Sequence, residues 1–295
     1  MVITVTGSTG TIGSHLVEVL AREGVPTRAI LRDPAKARRL PHVVWAQADL
    51  SDASLLEPAL AGTDRLFLLT GNDPGFGRIQ IDVLRVAAQV GVRHVVKLSA
   101  YGASPRSNSA IGREHWEVEQ ALQQQSAMGW TILRPHSFMQ NWLDDVAESV
   151  RAEGRIYSPI EDGRVPFIDA RDIADVAAVV LKDPAPHAGK KYYLSGGEAV
   201  GYADVASAIS EATGREVTYQ PISMEEARAR MEARGTPAPL IDATLALAAY
   251  QKAGGPTAQV SGEVERILGR PPRTIRDFAR DYAEHFRPRG AGEGG

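Results

Sequence analysis

The chain contains no cysteine. That excludes disulfides, thiol catalysis and cysteine-ligated zinc or iron–sulfur centres. It has little net charge, −3 over 295 residues, so nothing points to a nucleic-acid partner. No uninterrupted apolar stretch reaches about 18 residues, so no membrane span is expected. The chain opens on a core-type strand, not on a basic segment with a long apolar run behind it. No signal peptide is expected, and the cytoplasm is the expected compartment. The seven histidines show no metal-ligand spacing such as His-Glu-x-x-His, so no metal is expected. Hydrophobic residues at 43% and charged residues at 23% are ordinary globular usage. The length suits one large α/β domain or two unequal ones.

What is present begins at once. Val2 to Val5 are apolar and β-branched and read as a buried strand. Gly7, Gly10 and Gly13 follow at a spacing of three, and Ile12, Leu16, Val19 and Leu20 then recur at helical spacing. A strand, a glycine turn and a helix N-terminus make an anion site. The turn lets backbone approach a pyrophosphate, and the unpaired helix N–H groups bind it. Gly7, Thr9, Gly10, Thr11, Ile12 and Gly13 are therefore candidate cofactor contacts.

Strand and helix alternate from there. Strands are expected at 26–31, 43–47, 65–69, 92–98 and 130–133. Helices are expected at 14–23, after Asp33-Pro34, from Ser51-Asp52 to Gly62, at 78–90 and at 112–126. Repeated βα units with short turns predict a doubly wound parallel sheet with helices on both faces. After Pro135 the rhythm changes. Helices are expected at 137–151, 169–181, 202–213, 223–234, 237–252 and 273–286, with short strands at 191–194 and 217–220. The expected division is a dinucleotide domain over 1–135 and 166–195, and a smaller, mainly helical substrate domain over 136–165 and 196–287. The cleft between them is the expected binding site. The tail, 288–295, lacks apolar residues and is expected to be disordered.

In a dinucleotide fold the end of the second strand meets the adenosine ribose. An acid there selects NAD, and an arginine accepts the 2′-phosphate of NADP. The chain has Arg32-Asp33. Asp33 already suits an N-cap followed by Pro, so Arg32 is the phosphate candidate, helped by Lys36 and by Arg38 or Arg39. Asp49, with Leu50, ends the third strand and is placed to meet the adenine.

These stretches resemble a known family. Gly-Ser-Thr-Gly-Thr-Ile-Gly at 7–13, Leu-Arg-Asp-Pro at 31–34 and Ala-Asp-Leu at 48–50 are similar to the NmrA-like branch of the atypical short-chain dehydrogenase/reductases. Lys97-Leu98-Ser99-Ala100, Leu133-Arg134-Pro135, Phe138 with Asn141, Asp169 to Ala174 and Leu268 to Thr274 extend the likeness over roughly 1–287. The resemblance implies a Rossmann domain with a small C-terminal substrate domain, and NADPH as cofactor. Members include quinone reductases, azoreductases, tailoring reductases and NADP binders without turnover.

Orthodox members of the wider superfamily use a Ser and a Tyr-x-x-x-Lys pair. Ser99 stands where the family serine would. His115 occupies the Tyr position and Glu119 the Lys position, and no other Tyr-x-x-x-Lys occurs. That departure argues against simple ketone reduction. Hydride transfer itself needs no protein acid, only nicotinamide and acceptor face to face with water excluded. A quinone or conjugated acceptor leaves as a delocalised anion, whereas a ketone gives a basic alkoxide. His115, as an imidazole near neutral pKa, is the candidate proton donor, with Ser99 and Tyr101 as donors to a developing oxyanion.

Leu69, Thr70 and Gly71 open a loop, 71–77, expected to lie over the cofactor, with Phe76 covering the substrate. His136, Ser137 and Phe138 leave the sixth strand beside the expected nicotinamide. Phe138, Asn141 and Trp142 are expected to line an apolar substrate pocket. The expected function is an NADPH-dependent oxidoreductase acting on a quinone-like or conjugated aromatic acceptor, with a polyketide-type aromatic inside that class. The expected assembly is a monomer or homodimer. Two other readings stand beside it: an NADP-binding redox sensor or scaffold without turnover, and a non-redox tailoring enzyme, a cyclase or isomerase using His115 or Glu119.

Overall fold

The β-branched run at the start forms strand β1, Ile3–Val5, with every residue buried. The computed structural model describes residues 1–288. The expected disordered tail, apart from Pro288, lies outside the described residues. In chain order there follow α1 (Thr11–Arg22), β2 (Thr27–Leu31), β3 (Val43–Gln47), α2 (Ala53–Leu60), β4 (Arg65–Leu68), α3 (Phe76–Gln89), β5 (His94–Leu98), α4 (Ala110–Gln123) and β6 (Gly129–Pro135). Then come α5 (Asp145–Glu153), β7 (Arg155–Ser158), α6 (Ala170–Lys182), β8 (Lys190–Leu194), α7 (Tyr202–Thr213) and β9 (Thr218–Pro221). The chain ends with α8 (Met224–Ala233), α9 (Ala238–Ala253), α10 (Glu263–Leu268), α11 (Ile275–Asp281) and α12 (Ala283–Phe286). No helix among the described residues is long and apolar enough to cross a membrane.

Two compact units result. The first comprises residues 1–135, 170–194 and 263–270. Its seven strands are ordered β3-β2-β1-β4-β5-β6-β8 and every neighbouring pair is parallel. This is a Rossmann-type doubly wound sheet. Strand order reverses between β1 and β4, the switch point where such sheets bind ligands at the strands' C-terminal ends. Leu66, Leu68, Val95 and Ile132 bury one face of the sheet under Val83 and Leu84 of α3 and Val118 and Leu122 of α4.

The second unit comprises 136–169, 195–262 and the chain from 271. It is mainly helical, with one parallel pair, β7 with β9. Its core is aromatic: Trp142 meets Phe167 at 4.8 Å and Phe278 at 5.5 Å between ring centroids, both edge to face. Such pairs add about 0.5–1.5 kcal/mol beyond their buried area.

The structure corrects several local expectations. The helix expected at 137–151 is a 3₁₀ turn, Met139–Leu143, and then α5, because Asp144 at φ −93°, ψ −103° breaks the spiral. The helix expected at 273–286 is interrupted at Tyr282 into α11 and α12. The turn-rich stretch after α5 contains β7, whose partner lies some 60 residues on. Residues 263–270, expected in the substrate domain, cluster with the first unit. Arg270 there donates to Asp172 at 2.8 Å and to Asp175 at 2.5 Å on α6.

Candidate active site

The glycine turn is tight where it must be and open where a ligand would sit. Gly7 is left-handed, φ +61°, and a Cβ there would lie 3.0 Å from Leu69 O. At Gly13 a Cβ would stand 2.2 Å from Gly7 O, so only glycine lets α1 press against the turn. At Gly10 an added Cβ would meet only Gly7 O, at 3.4 Å. Thr6 Oγ1 donates to Leu69 O at 2.7 Å and Ser8 Oγ to Ile30 O at 2.5 Å, fastening the turn to β4 and β2. Helix α1 starts at Gly10 with no side-chain cap and no acid in its first turn. Its first N–H groups are thus left for an anion. Thr9 and Thr11 are exposed beside it and Ile12 is buried. The residues fit a dinucleotide pyrophosphate. Gly13→Ala is expected to weaken NADPH binding about tenfold or more, because the turn must move. Titration calorimetry checks this.

Arg32 stands exposed just past β2, and its guanidinium has no hydrogen-bond or ion-pair partner among the described residues. Lys36 is also exposed and unpaired there. Arg38 is engaged, 2.5 Å from Glu18. Asp33 accepts Ala35 N–H at 3.0 Å and caps the short turn after it. Asp49 Oδ1 takes both the N–H and the hydroxyl of Ser51. Those bonds, and then the Arg32 charge, hold its carboxyl below the usual range. Leu50 is half-buried behind it.

The end of β4 meets the turn. Leu69 N–H donates to Thr6 Oγ1 at 2.9 Å, and Gln80 of α3 donates to Thr70 Oγ1 at 2.7 Å. Gly71 is exposed beyond them. Glu114 of α4 accepts Gly77 N–H at 2.8 Å, pinning the loop's far end. Phe76, expected over the substrate, is instead only 2% exposed. It begins α3 and packs its ring 4.7 Å from that of His115.

Ser99 and Glu119 belong to a buried polar cluster. Glu119 on α4 has a fully buried side chain. It accepts Arg134 Nε at 2.8 Å and Nη2 at 2.6 Å, Lys191 Nζ at 3.1 Å and Ser99 Oγ at 2.5 Å. Burial pushes its carboxyl up, but Arg134, Ser99 and Lys191 outweigh that and hold it below the usual value. Ser99's proton is therefore committed to a carboxylate, which corrects the expected oxyanion role. Tyr101 is half-exposed, its ring 5.6 Å from Tyr193, whose hydroxyl accepts Arg134 at 3.0 Å.

His115 is neither on the surface nor near a neutral pKa. It is 4% exposed, and burial, then the charges of Lys97 and Arg134, keep it well below 6.5. At neutral pH it is an uncharged imidazole. Its Nδ1 lies 3.1 Å from Lys97 Nζ. Lys97 is absent from the list of candidates that sequence reasoning produces. The available signal was a lysine inside the otherwise apolar stretch Val95 to Leu98, in phase with buried Val95.

The second unit holds the remaining candidates. His136 is buried, which brings its imidazole down to about 4. Ser137 Oγ accepts Gln251 Nε2 at 3.0 Å, and Phe138 is half-buried. Within this unit a cavity of about 250 Å³ is lined by Phe138, Asn141, Trp142, Tyr157, Arg230 and Leu247, among others. The Arg230 guanidinium stacks 3.7 Å over the Tyr157 ring. Trp142 is 2% exposed, so it serves the aromatic core as well as the cavity wall. Among the described residues no group of three or more His, Asp or Glu is arranged to hold a metal.

Comparison with known proteins identifies the family. The profile of the NmrA-like family matches residues 1–266. The NAD(P)H azoreductase of Xenophilus azovorans is 39% identical over 286 residues, covering 96% of this chain and 99% of that protein. Quinone oxidoreductase 2 of Escherichia coli strain K12 is 30% identical, over 92% of this chain and 96% of that one. The crystal structure of the NADPH-dependent quinone oxidoreductase from Escherichia coli complexed with NADPH superposes with a TM-score of 0.83. It is 28% identical and covers 95% of this chain and 99% of that one. The chain belongs to the NmrA-like family.

Proposed function

We propose that the chain is an NADPH-dependent oxidoreductase that transfers hydride to a quinone-like or conjugated aromatic acceptor. The observation that carries it is the open glycine turn with unpaired Arg32 and Lys36 at the end of the next strand. NADPH, when bound, supplies the hydride. The chain's own residues hold the pyrophosphate on the turn and the 2′-phosphate at Arg32. The cavity walled by Phe138, Trp142, Tyr157 and Leu247 suits a flat aromatic acceptor. Relatives named as an azoreductase and a quinone oxidoreductase support that acceptor class.

The non-redox reading loses support at Glu119. A carboxylate gripped by an arginine and a lysine is a poor base. The test is anaerobic NADPH oxidation, followed by nicotinamide absorbance, against quinones and azo and polycyclic aromatic compounds, with NADH in parallel. Saturable turnover that prefers NADPH is expected. Tight NADPH binding with no oxidation across the panel would return the chain to the sensor reading.

A further inference from the structure

Lys97 puts an amine where the core would ordinarily hold an apolar side chain. Its side chain is 0% exposed, and it lies on β5 in phase with Val95, facing the core under α3 and α4. Among the described residues it makes no ion pair. Its partners are the neutral Leu98 carbonyl and His115 Nδ1. A buried ammonium without a carboxylate is costly. His115 is placed asymmetrically. Nδ1 is anchored inside by Lys97. Nε2 has no protein partner among the described residues, and in a side chain that is 4% exposed it is not wholly sealed from solvent.

We infer that Lys97 and His115 form a two-step proton relay that supplies the proton accompanying hydride transfer. The Nε2 proton of His115 passes to the acceptor atom that has gained the negative charge. Nδ1 takes a proton from the Lys97 ammonium, which becomes an amine. After the product leaves, water reprotonates Nε2 and Nδ1 returns its proton to Lys97. The relay rests on the oxidoreductase reading above.

The surroundings suit this. Burial pulls the Lys97 ammonium down to about 7, partly opposed by Glu119, so near neutral pH it gives up a proton readily. The other groups on this face are Glu114 and Glu119 of α4, Phe76 of α3, Arg134 of β6, and Lys191 and Tyr193 of β8. Glu119 is neutralised by Arg134 and Lys191. The relay also names a substrate class. Hydride addition to an azo bond leaves charge on a strongly basic nitrogen, which needs a proton at once. A quinone leaves as a stabilised phenolate and does not.

The experiment compares wild type with Lys97→Met on an azo dye and on a benzoquinone in single-turnover NADPH oxidation, alongside ¹⁵N NMR of histidine-labelled protein. Expected for Lys97→Met is azo reduction slowed about tenfold or more, quinone reduction within about twofold, and unchanged NADPH affinity. The wild-type azo rate falls as pH rises through about 7, and the variant's does not. NMR is expected to show His115 protonated on Nε2 in wild type and redistributed in Lys97→Met. Equal slowing of both acceptors, no slowing, or an unchanged tautomer overturns the relay. Should Lys97→Met not fold, His115→Gln with Lys97 intact must give the same acceptor split. Should wild type oxidise NADPH with neither acceptor, the oxidoreductase reading fails instead, and the NMR result alone decides the pairing.

Discussion

Glu119→Ala is expected to destabilise the first unit by about 3–5 kcal/mol, because it strands a buried guanidinium rather than merely removing a contact. Glu119 takes both Nε and Nη2 of Arg134 in a two-pronged pair, with the arginine side chain 10% exposed and the glutamate 0%. Such geometry separates it from the surface pairs elsewhere in the chain, each worth about 0–1 kcal/mol. A loss of that size lowers the melting temperature by on the order of 10 °C, which calorimetry reads directly. Glu119→Gln keeps shape and one acceptor oxygen, so it should fall between wild type and alanine. The pH dependence has a fixed sign. A carboxyl whose folded pKa is lowered contributes fully above its ordinary 4.5, and the contribution disappears as pH falls through the folded value. The gap between wild type and Glu119→Ala should therefore be widest near neutral pH and narrow in acid. A gap below about 1 kcal/mol at pH 7 would mean that solvent reaches the pair.

The first unit was legible because its signals are local. A β-branched run, glycines three apart and a helical stripe are all read within 20 residues, and each parallel strand needs only its own βα turn. The second unit was read less well between 136 and 165. Strand β7 exists only because β9 pairs with it across some 60 residues, and no window around Arg155 carries that information. Helix α10 joins the first unit through Arg270, a charge whose partners Asp172 and Asp175 lie nearly 100 residues earlier. The site shows the same limit. Sequence placed His115 and Glu119 at the positions of a missing Tyr and Lys. It did not show that one is a neutral buried imidazole and the other a locked carboxylate. Those states are set by burial at His115 and by Lys97, Arg134 and Lys191, which reach the two side chains from three different strands. Phe76 was misread for a related reason. A phenylalanine in a glycine-rich loop resembles a lid, but Glu114 pins Gly77 and turns the ring inward onto His115.

Arg32→Ala is expected to weaken NADPH binding roughly ten- to hundredfold while changing NADH affinity by no more than about threefold. The estimate follows from one charge-assisted contact to a dianionic phosphate, about 1.5–3 kcal/mol, at about 1.4 kcal/mol per factor of ten. Two observations favour Arg32 over its neighbours. Its guanidinium is unengaged, whereas Arg38 is bound to Glu18. Asp33, the residue that would otherwise select NAD, spends its carboxylate on Ala35 N–H as a cap. Lys36 shares the phosphate as a point charge without the planar fork, so Lys36→Ala should cost less than Arg32→Ala. Both losses should shrink as salt rises, since the site is exposed. Parallel titrations of the two cofactors at two ionic strengths separate these effects. Equal loss of NADPH and NADH affinity in Arg32→Ala would remove the arginine from the 2′-phosphate. The cofactor preference would then have to arise from Lys36 or Arg39.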